Sequence, residues 1–175
     1  MRDIQNFPSL ISLNDIPKNF FKKTKKILII HSDTAKKNKI IIKLNSLLKN
    51  SKINYFNSSK LNFSSEIIQH KSQLFKPGYD LIIGVGGGNV IDISKIVYVR
   101  SIFLNWKKKI KEDSLILNKI KTKFMVISTL PGSGAEVSKT AVLNANNNKI
   151  FFTSNFFVPN YVFYDIKNIS NLNKN

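Results

Sequence analysis

The placement of glycine is the feature of this sequence that indicates chemistry most directly. Only seven glycines occur in 175 residues, and residues 84–88 contain four of them while residues 131–134 contain two. Glycine is required where the backbone must adopt a positive φ or lie close to a ligand. Both segments directly follow an apolar run typical of a buried strand, and open parallel sheets bind ligands beyond the carboxyl ends of their strands.

The first glycine segment predicts a phosphate-binding site. An apolar run over residues 80–85 leads into three consecutive glycines, Asn89 and a helical pattern. Asn89 is a favoured N-cap, and Asp92 three residues later forms a pair that resembles a capping box. A glycine turn before a helix directs free N–H groups and the positive end of the helix dipole at an anion. The alternative is a tight turn without a ligand, but three glycines exceed that need and each costs roughly 0.5–1 kcal/mol of backbone entropy.

Two common nucleotide-binding motifs are not met by this segment. In the pattern G-x-G-x-x-G, Asn89 stands at the last glycine position. The segment also follows the third predicted strand, whereas that pattern follows the first. A Walker loop is excluded because no Gly-Lys-Ser/Thr follows. The residues therefore indicate a phosphate-binding α/β domain of another lineage.

The elements that must position the two segments alternate between strands and helices. Strands are predicted over residues 26–31, 53–56, 80–85, 124–128 and 161–164. Helices are predicted over residues 34–48, 64–75 and 89–104, where apolar residues recur at helical spacing. A β-hairpin is predicted from residues 140–144 and 150–154 around a turn at 145–148, and residues 105–121 form a Lys-rich insertion. This alternation predicts a parallel sheet with right-handed crossovers, flanked by helices.

Composition bounds the class of protein. The length suits one domain, and the absence of cysteine excludes a disulfide framework, a thiolate nucleophile and a zinc–thiolate site. The first residues lack the pattern of a signal peptide, and the apolar runs are far too short to span a bilayer. These features predict a soluble, cytoplasmic protein without a membrane partner.

The net charge of +18 exceeds the magnitude of roughly 2–8 that suits a small soluble domain. One interpretation is a basic protein that binds nucleic acid or a membrane surface. The other is codon bias in an AT-rich genome, which enriches Lys, Asn and Ile. The lysines fall in scattered short runs without an aromatic stacking motif or a recognition helix, so the second interpretation is favoured and nucleic acid is the alternative partner.

Three ordered motifs resemble the iron-containing alcohol dehydrogenase family, within the dehydroquinate synthase-like superfamily. Residues 80–95 resemble its G-G-G-S-x-x-D-x-x-K segment, and residues 127–138 resemble P-T-T-x-G-T-x-S-E-V-T. Lys149 followed by residues 158–160 and Asp165 resembles the stretch that returns to the cofactor. The resemblance implies a Rossmann-like α/β nucleotide-binding domain of the dehydroquinate synthase type over residues 26–170, after an irregular segment at 1–25 and before a tail at 171–175.

The resemblance also implies which residues contact NAD or NADP. The pyrophosphate would be cradled by Gly86, Gly87, Gly88 and Asn89, where Asn89 replaces the usual serine. Residues near the ribose and nicotinamide would be Thr129 and Ser133, with Ser133 in place of threonine. Further positions near the cofactor are Asp92, Ser138 and Lys149.

One further departure and one ambiguity accompany that assignment. Leu130 replaces a threonine of the motif and lacks its hydroxyl. Asp33 would hold the ribose 2′-OH and favour NAD, but the register is open by one residue and Ser32 is the alternative, so the choice between NAD and NADP stays open.

Simpler roles stand beside these predictions. Asp92 either caps its helix or contacts the cofactor or substrate, and Glu136 is a candidate cap for a helix start after Gly134. Lys95 and Lys149 could be solvated. His31 and His70 match no family site and are interpreted as surface or strand-end residues.

The metal site that the resemblance implies is not expected in this chain. The family binds its divalent metal, Fe or Zn, through one Asp and three His in a helical domain beyond residue 175, whereas this chain has two His in all. We therefore expect no catalytic residue and no metal ligand here. The chain would be a truncated oxidoreductase domain, inactive alone, whose complete enzyme acts on a small alcohol or aldehyde. The alternatives are a non-catalytic nucleotide-binding module or half of a split enzyme, partnered by a second copy or by a complementary C-terminal chain.

Overall fold

A computed structural model of the chain describes residues 11–12, 16–17, 20–37, 39–62, 64–69, 75–112, 120–130 and 132–164. The strands of this part are, in chain order, β1 (Ile11–Ser12), β2 (Lys26–His31), β3 (Lys52–Asn57), β4 (Leu81–Gly86), β5 (Lys123–Ser128), β6 (Thr140–Ala145), β7 (Asn148–Thr153) and β8 (Tyr161–Tyr164). The α-helices are α1 (Asp33–Lys37), α2 (Ile40–Leu47), α3 (Gly88–Arg100) and α4 (Trp106–Glu112). None of these helices is long and apolar enough to cross a membrane.

Six strands form one sheet in the order β1-β8-β5-β4-β2-β3, and every pair in it is parallel. All six residues of β4 are buried, because both faces of this central strand are covered. Side chains alternate between two apolar cores, so that Leu28 and Ile30 enter one core and Ile27 and Ile29 enter the other. The predicted α/β class with a parallel sheet is confirmed.

Helix α3 is almost wholly enclosed. Residues 90–99 are all buried, because the antiparallel β6–β7 hairpin and a 3₁₀ turn at Ser64–Ile68 pack against the helix along with the sheet. The predicted hairpin is present, with a tighter turn than expected, in which Asn146 takes a positive φ of 50°. The hairpin explains how a helix can bury its outer surface as well as the face that meets the sheet.

Two glycines of the first segment serve the contact between helix α3 and strand β4. A Cβ on Gly84 would lie 2.5 Å from Ser94 Oγ, and a Cβ on Gly86 would lie 2.7 Å from Val90 Cβ. Neither distance is tolerable for a real methyl group, so the helix lies closer to the strand than any side chain at these positions would permit. The need for glycine is therefore structural at Gly84 and Gly86, before any ligand is considered.

The helices differ most from the sequence expectations. The predicted helix over residues 34–48 is divided into α1 and α2 at Lys39, whose φ is 60°. Buried Ala35, Ile40 and Leu44 continue the apolar pattern across the break, which is why periodicity alone does not reveal it. The helix expected at 64–75 is a 3₁₀ turn over its first residues, and 70–74 lie outside the described residues.

The remaining differences concern segments that were expected to be irregular. Helix α4 lies inside the Lys-rich insertion predicted at 105–121. Strand β1 lies inside the segment predicted as irregular, where Ile11 and Ser12 pair with Phe163 and Tyr164 of β8. Two residues are too few for a periodic signal, so this strand depends on its partner for definition.

Gly84→Ala should lower the free energy of unfolding by about 1–3 kcal/mol, because the new methyl group overpacks the contact with Ser94. Urea unfolding measures the loss. Gly87→Ala is the matched control: its Cβ would meet the flexible tip of Leu130 at 3.2 Å, so its loss should be smaller. Equal stability of the Gly84 variant and the unmodified chain would contradict the close helix–strand contact.

Candidate functional site

The two glycine segments meet at the carboxyl ends of the neighbouring strands β4 and β5. A Cβ on Gly88 would lie 3.0 Å from both Cβ and Oγ of Ser133, and a Cβ on Gly87 would lie 3.2 Å from Leu130 Cδ1. Bare backbone of the first segment thus faces the second segment at contact distance. The sequence places both segments at one sheet edge, and the structure brings them together there.

The second segment is shaped by two left-handed glycines and one hydrogen bond. Gly132 has φ 108° and Gly134 has φ 64°, and a Cβ at either position would meet no atom within 4 Å. Here backbone conformation, and not lack of space, calls for glycine. The N–H of Thr129 donates to the carbonyl of Gly86 over 3.1 Å, which fixes the start of the second segment to the end of β4.

Helix α3 begins earlier than the sequence suggests. Its N-cap is Gly87 and its first helical residue is Gly88, so the prediction that Asn89 is the N-cap is wrong. Asn89 lies in the first turn and is exposed. Glycines with ordinary backbone angles extend the helix toward the strand, and Gly87 has no side chain with which to cap it. The N–H groups of the first turn have no partner inside the helix and remain available for an anion.

Asp92 lies inside α3 and is bonded to the hairpin. Its Oδ2 accepts a hydrogen bond of 3.1 Å from the N–H of Val142, and its Oδ1 lies 3.3 Å from Lys95 Nζ. The hypothesis that Asp92 only caps the helix is therefore wrong. Burial raises the pKa of the Asp92 carboxyl, and the neighbouring Lys95 ammonium opposes that rise.

Lys95 is fully buried, so the expectation of a solvated lysine is wrong. Its Nζ donates to the carbonyl of Thr140 over 2.6 Å and to Ser138 Oγ over 3.4 Å. Burial lowers the pKa of Lys95, while Asp92 and then Glu136 raise it. Ser138, predicted near the cofactor, also donates to the Thr140 carbonyl over 3.0 Å and accepts from the Thr140 N–H over 2.9 Å.

Glu136 is a buried acid next to the second glycine segment. Its Oε1 accepts a hydrogen bond of 3.0 Å from the hydroxyl of Tyr164, and its Oε2 is buried without a hydrogen-bond partner among the described residues. Residues 135–137 form a turn, so Glu136 caps no helix there. Sequence reasoning missed Tyr164. Its position as a polar residue at the end of the predicted strand at 161–164 was visible in the sequence, but the pairing that brings it beside Ser128 of β5 was not.

Asp33 lies at the carboxyl end of β2 as the first residue of α1. Asn57 Nδ2 donates to Asp33 Oδ1 over 2.7 Å, and the N–H of Asp33 donates to Ser59 Oγ over 3.0 Å. Ser32 Oγ accepts a hydrogen bond of 3.2 Å from the N–H of Ala35, so the Ser32 side chain caps the N-terminus of α1. A cleft of about 400 Å³ opens at this end of the sheet, lined by His31, Lys36, Tyr55, Phe56, Asn57, Lys60 and Leu61.

The other predicted residues are more widely spread. Lys149 is exposed on β7 opposite Asn144, in the hairpin that packs on α3 and away from the strand-end loops. His31 is a buried strand-end residue, with Nδ1 3.0 Å from the carbonyl of Ser32. Asp165 and His70 lie outside the described residues.

Comparison with known proteins identifies the family. The family model described as iron-containing alcohol dehydrogenase matches residues 10–166. The chain belongs to the iron-containing alcohol dehydrogenase family. An alcohol dehydrogenase of Thermococcus barophilus is 32% identical over 108 residues, which are 57% of this chain and 28% of that protein.

Solved structures of family members share the fold. An iron-containing alcohol dehydrogenase of Thermotoga maritima superposes with a TM-score of 0.65 at 23% identity, covering 89% of this chain and 44% of the other. Sulfoacetaldehyde reductase of Bifidobacterium kashiwanohense, solved with NAD⁺, gives a TM-score of 0.62 at 15% identity, covering 86% and 42%. This chain therefore spans less than half the length of these relatives.

A metal centre needs several ligating side chains close together. Among the described residues no three His, Cys, Asp or Glu side chains cluster so that they could hold a metal ion. The buried acids Asp92 and Glu136 are engaged instead with Lys95 and Tyr164. The site is thus a strand-end surface of bare backbone, hydroxyls and amides, with a buried ionic network at its side.

Tyr164→Phe should lower the free energy of unfolding by about 1–3 kcal/mol, because it leaves Glu136 buried without a partner. Burial and Glu136 raise the pKa of Tyr164 from 10.0 to about 12. The stabilisation is therefore fully present below pH 10.0 and is lost as the pH rises through about 12. Denaturant unfolding of both proteins over that interval should show their difference shrinking.

Tyr55→Phe supplies the matched control for this prediction. The Tyr55 hydroxyl donates to Asn45 Oδ1 over 2.6 Å at the exposed surface, where water can replace the lost bond. If the two variants lost the same stability, or if neither lost any, the bond between Tyr164 and Glu136 would not hold the buried acid.

Proposed function

We propose that this chain binds NAD or NADP across the two glycine segments, as the cofactor-binding part of a metal-dependent alcohol dehydrogenase or aldehyde reductase. The observation that carries the proposal is the approach of Gly87 and Gly88 to Leu130 and Ser133 at adjacent strand ends. A diphosphate needs backbone N–H groups that it can reach without obstruction by side chains. Both segments offer such a surface at the edge where parallel sheets bind ligands.

The bound cofactor would extend across the carboxyl ends of the neighbouring strands β5, β4 and β2. Gly86, Gly87, Gly88 and Asn89 would hold the pyrophosphate, since the first turn of α3 has no capping side chain. The nicotinamide side would lie toward Thr129 and Ser133, in the loop that follows β5.

The adenosine side would lie in the opposite direction, over β2. There Asp33 could bind the ribose hydroxyls, and the adenine base could enter the cleft. Asp33 keeps one carboxylate oxygen on Asn57, which orients it. The lysines Lys36 and Lys60 line the same cleft, so the choice between NAD and NADP is left to measurement. Asp92 and Ser138 would act on the cofactor indirectly, because Asp92 is bonded to Val142 and Ser138 to Thr140 of β6. Lys149 is exposed on β7, away from the strand-end loops, so no contact with the cofactor is proposed for it.

The chemistry is divided between the cofactor and the protein. A bound nicotinamide supplies hydride transfer, and the residues of this chain bind it, orient it and exclude water from the glycine surface. The solved sulfoacetaldehyde reductase with NAD⁺ supports this assignment by its shared fold. A small alcohol or aldehyde would be the substrate of the complete enzyme.

We infer that this chain does not form the implied metal centre by itself. The chain contains two His, and a centre of one Asp and three His needs more. We propose that this chain binds the dinucleotide without oxidising an alcohol by itself. A second copy or a separate helical chain would be its partner. Metal-dependent reduction of NAD⁺ by the purified chain with any small alcohol would contradict this.

Gly88→Val tests the binding site. The larger side chain must displace Ser133, so NADH and NADPH should bind at least about tenfold more weakly, a change of about 1.4 kcal/mol. Isothermal titration with both dinucleotides measures the dissociation constants and also decides the cofactor. Leu104→Ala is the control, since Leu104 is 87% exposed beyond the opposite end of α3. Equal affinity of the two variants would refute the site, as would no binding by the unmodified chain.

A further inference from the structure

We infer that Lys95 is a positioning residue that fixes the second glycine segment against α3 and thereby sets the affinity for the dinucleotide. This inference rests on the proposed function. It extends that proposal, because Lys95 contacts neither glycine segment directly and acts through Thr140 and Ser138.

The Lys95 ammonium is completely enclosed beneath the segment that follows the second glycines. Its side chain is 0% exposed, and its shortest bond is 2.6 Å to the Thr140 carbonyl. Ser138 Oγ lies 3.4 Å away, and Asp92 Oδ1 lies 3.3 Å away. The long side chain thus crosses from α3 to the point where β6 begins.

Two tethers hold the second glycine segment, one at each end. At its start, the N–H of Thr129 is bonded to Gly86 at the end of β4. Beyond its end, Lys95 holds the Thr140 carbonyl, and Asp92 holds the N–H of Val142. The first tether belongs to the sheet, and the second belongs to α3. Gly132 and Gly134 lie between them with left-handed backbone, so their position depends on both tethers.

The energetics of burial favour a positioning role over a purely stabilising one. Removing two charges from water costs several kcal/mol per ion, and well-packed apolar residues often stabilise a protein as well or better. What an ion pair provides in addition is direction, because its hydrogen bonds are satisfied in one arrangement only. At this place the arrangement that it selects is the distance between α3 and the loop that faces Gly88.

The charges around Lys95 come from two elements. Asp92 is on its own helix, and Glu136 is in the turn that follows the second glycine segment, where Tyr164 of β8 donates to it. Both carboxylates favour the ammonium, whereas burial opposes it and lowers the pKa of Lys95 below 10.5. Tyr164, with a pKa of about 12, keeps its proton over the range in which Lys95 loses its own. Ser138 and Thr140, on the segment packed against the amine, carry no charge.

The test compares Asp92→Asn with the double variant Asp92→Asn, Lys95→Met. The side-chain amide introduced at position 92 can still accept from the Val142 N–H, and Met is close to Lys in volume and shape, so the double variant leaves no buried carboxylate without its cation. Both proteins carry the same change at position 92, so their comparison reports the bonds from Lys95 to Thr140 and Ser138 in the absence of the Asp92 carboxylate. Guanidinium unfolding of both proteins confirms that the comparison is made between folded states.

The double variant should bind the preferred dinucleotide about tenfold more weakly than Asp92→Asn, a change of about 1.4 kcal/mol. Amide hydrogen exchange at residues 132–134 should be faster without ligand. As the pH rises through the lowered pKa of Lys95, the affinity of the unmodified chain should fall, and that of the double variant should not show this fall. A purely structural role would lower stability without moving the affinity of the folded protein or its pH profile.

Equal affinities with unchanged exchange at residues 132–134 would overturn the inference and leave the proposed function intact. Failure of the unmodified chain to bind NADH or NADPH would overturn the proposed function instead. In that case the exchange at residues 132–134 still decides whether Lys95 fixes the loop.

Discussion

The close contact between α3 and β4 is the constraint on which the rest of the site depends. It exists because Gly84 and Gly86 have no side chain where Ser94 and Val90 lie against the strand. With the helix this near, its first turn begins directly at the end of the strand. The free N–H groups of that turn are therefore delivered to the sheet edge by packing. Glycine in the first segment has two roles. Gly84 and Gly86 permit the close helix–strand contact, and Gly87 and Gly88 leave the sheet edge open toward the second glycine segment.

Enclosure of α3 has a second consequence. A helix between a sheet and a hairpin has no solvent-facing side, so its polar residues must find partners inside the protein. Asp92 and Lys95 find each other and the backbone of the hairpin. These two charged side chains therefore connect α3 to strand β6 of the hairpin. The same burial that makes the ions costly makes their geometry specific.

Much of this architecture could be predicted from sequence, and the failures have physical causes. Continuous apolar runs predict the strands of the parallel sheet, and the two glycine segments indicate which edge of the sheet binds a ligand. The break at Lys39 was invisible because apolar spacing continues across it. Residue preferences favour Asn89 as the N-cap. They do not indicate that the helix begins earlier, at Gly88. The burial of Lys95 depends on a hairpin about 45 residues later, and Tyr164 depends on a strand pairing, so neither contact has a local signal.

The most direct measurement of the central claim is an NMR titration of the amide groups of the unmodified chain with NADH. The amides of residues 86–89 and 132–134 should shift together along one binding curve, because one diphosphate would touch both segments. Amides in the turn of the β6–β7 hairpin, at Asn146 and Asn147, should stay in place. If the ligand bound while the two glycine segments remained undisturbed, or if only one of them responded, the two segments would not form a single diphosphate site.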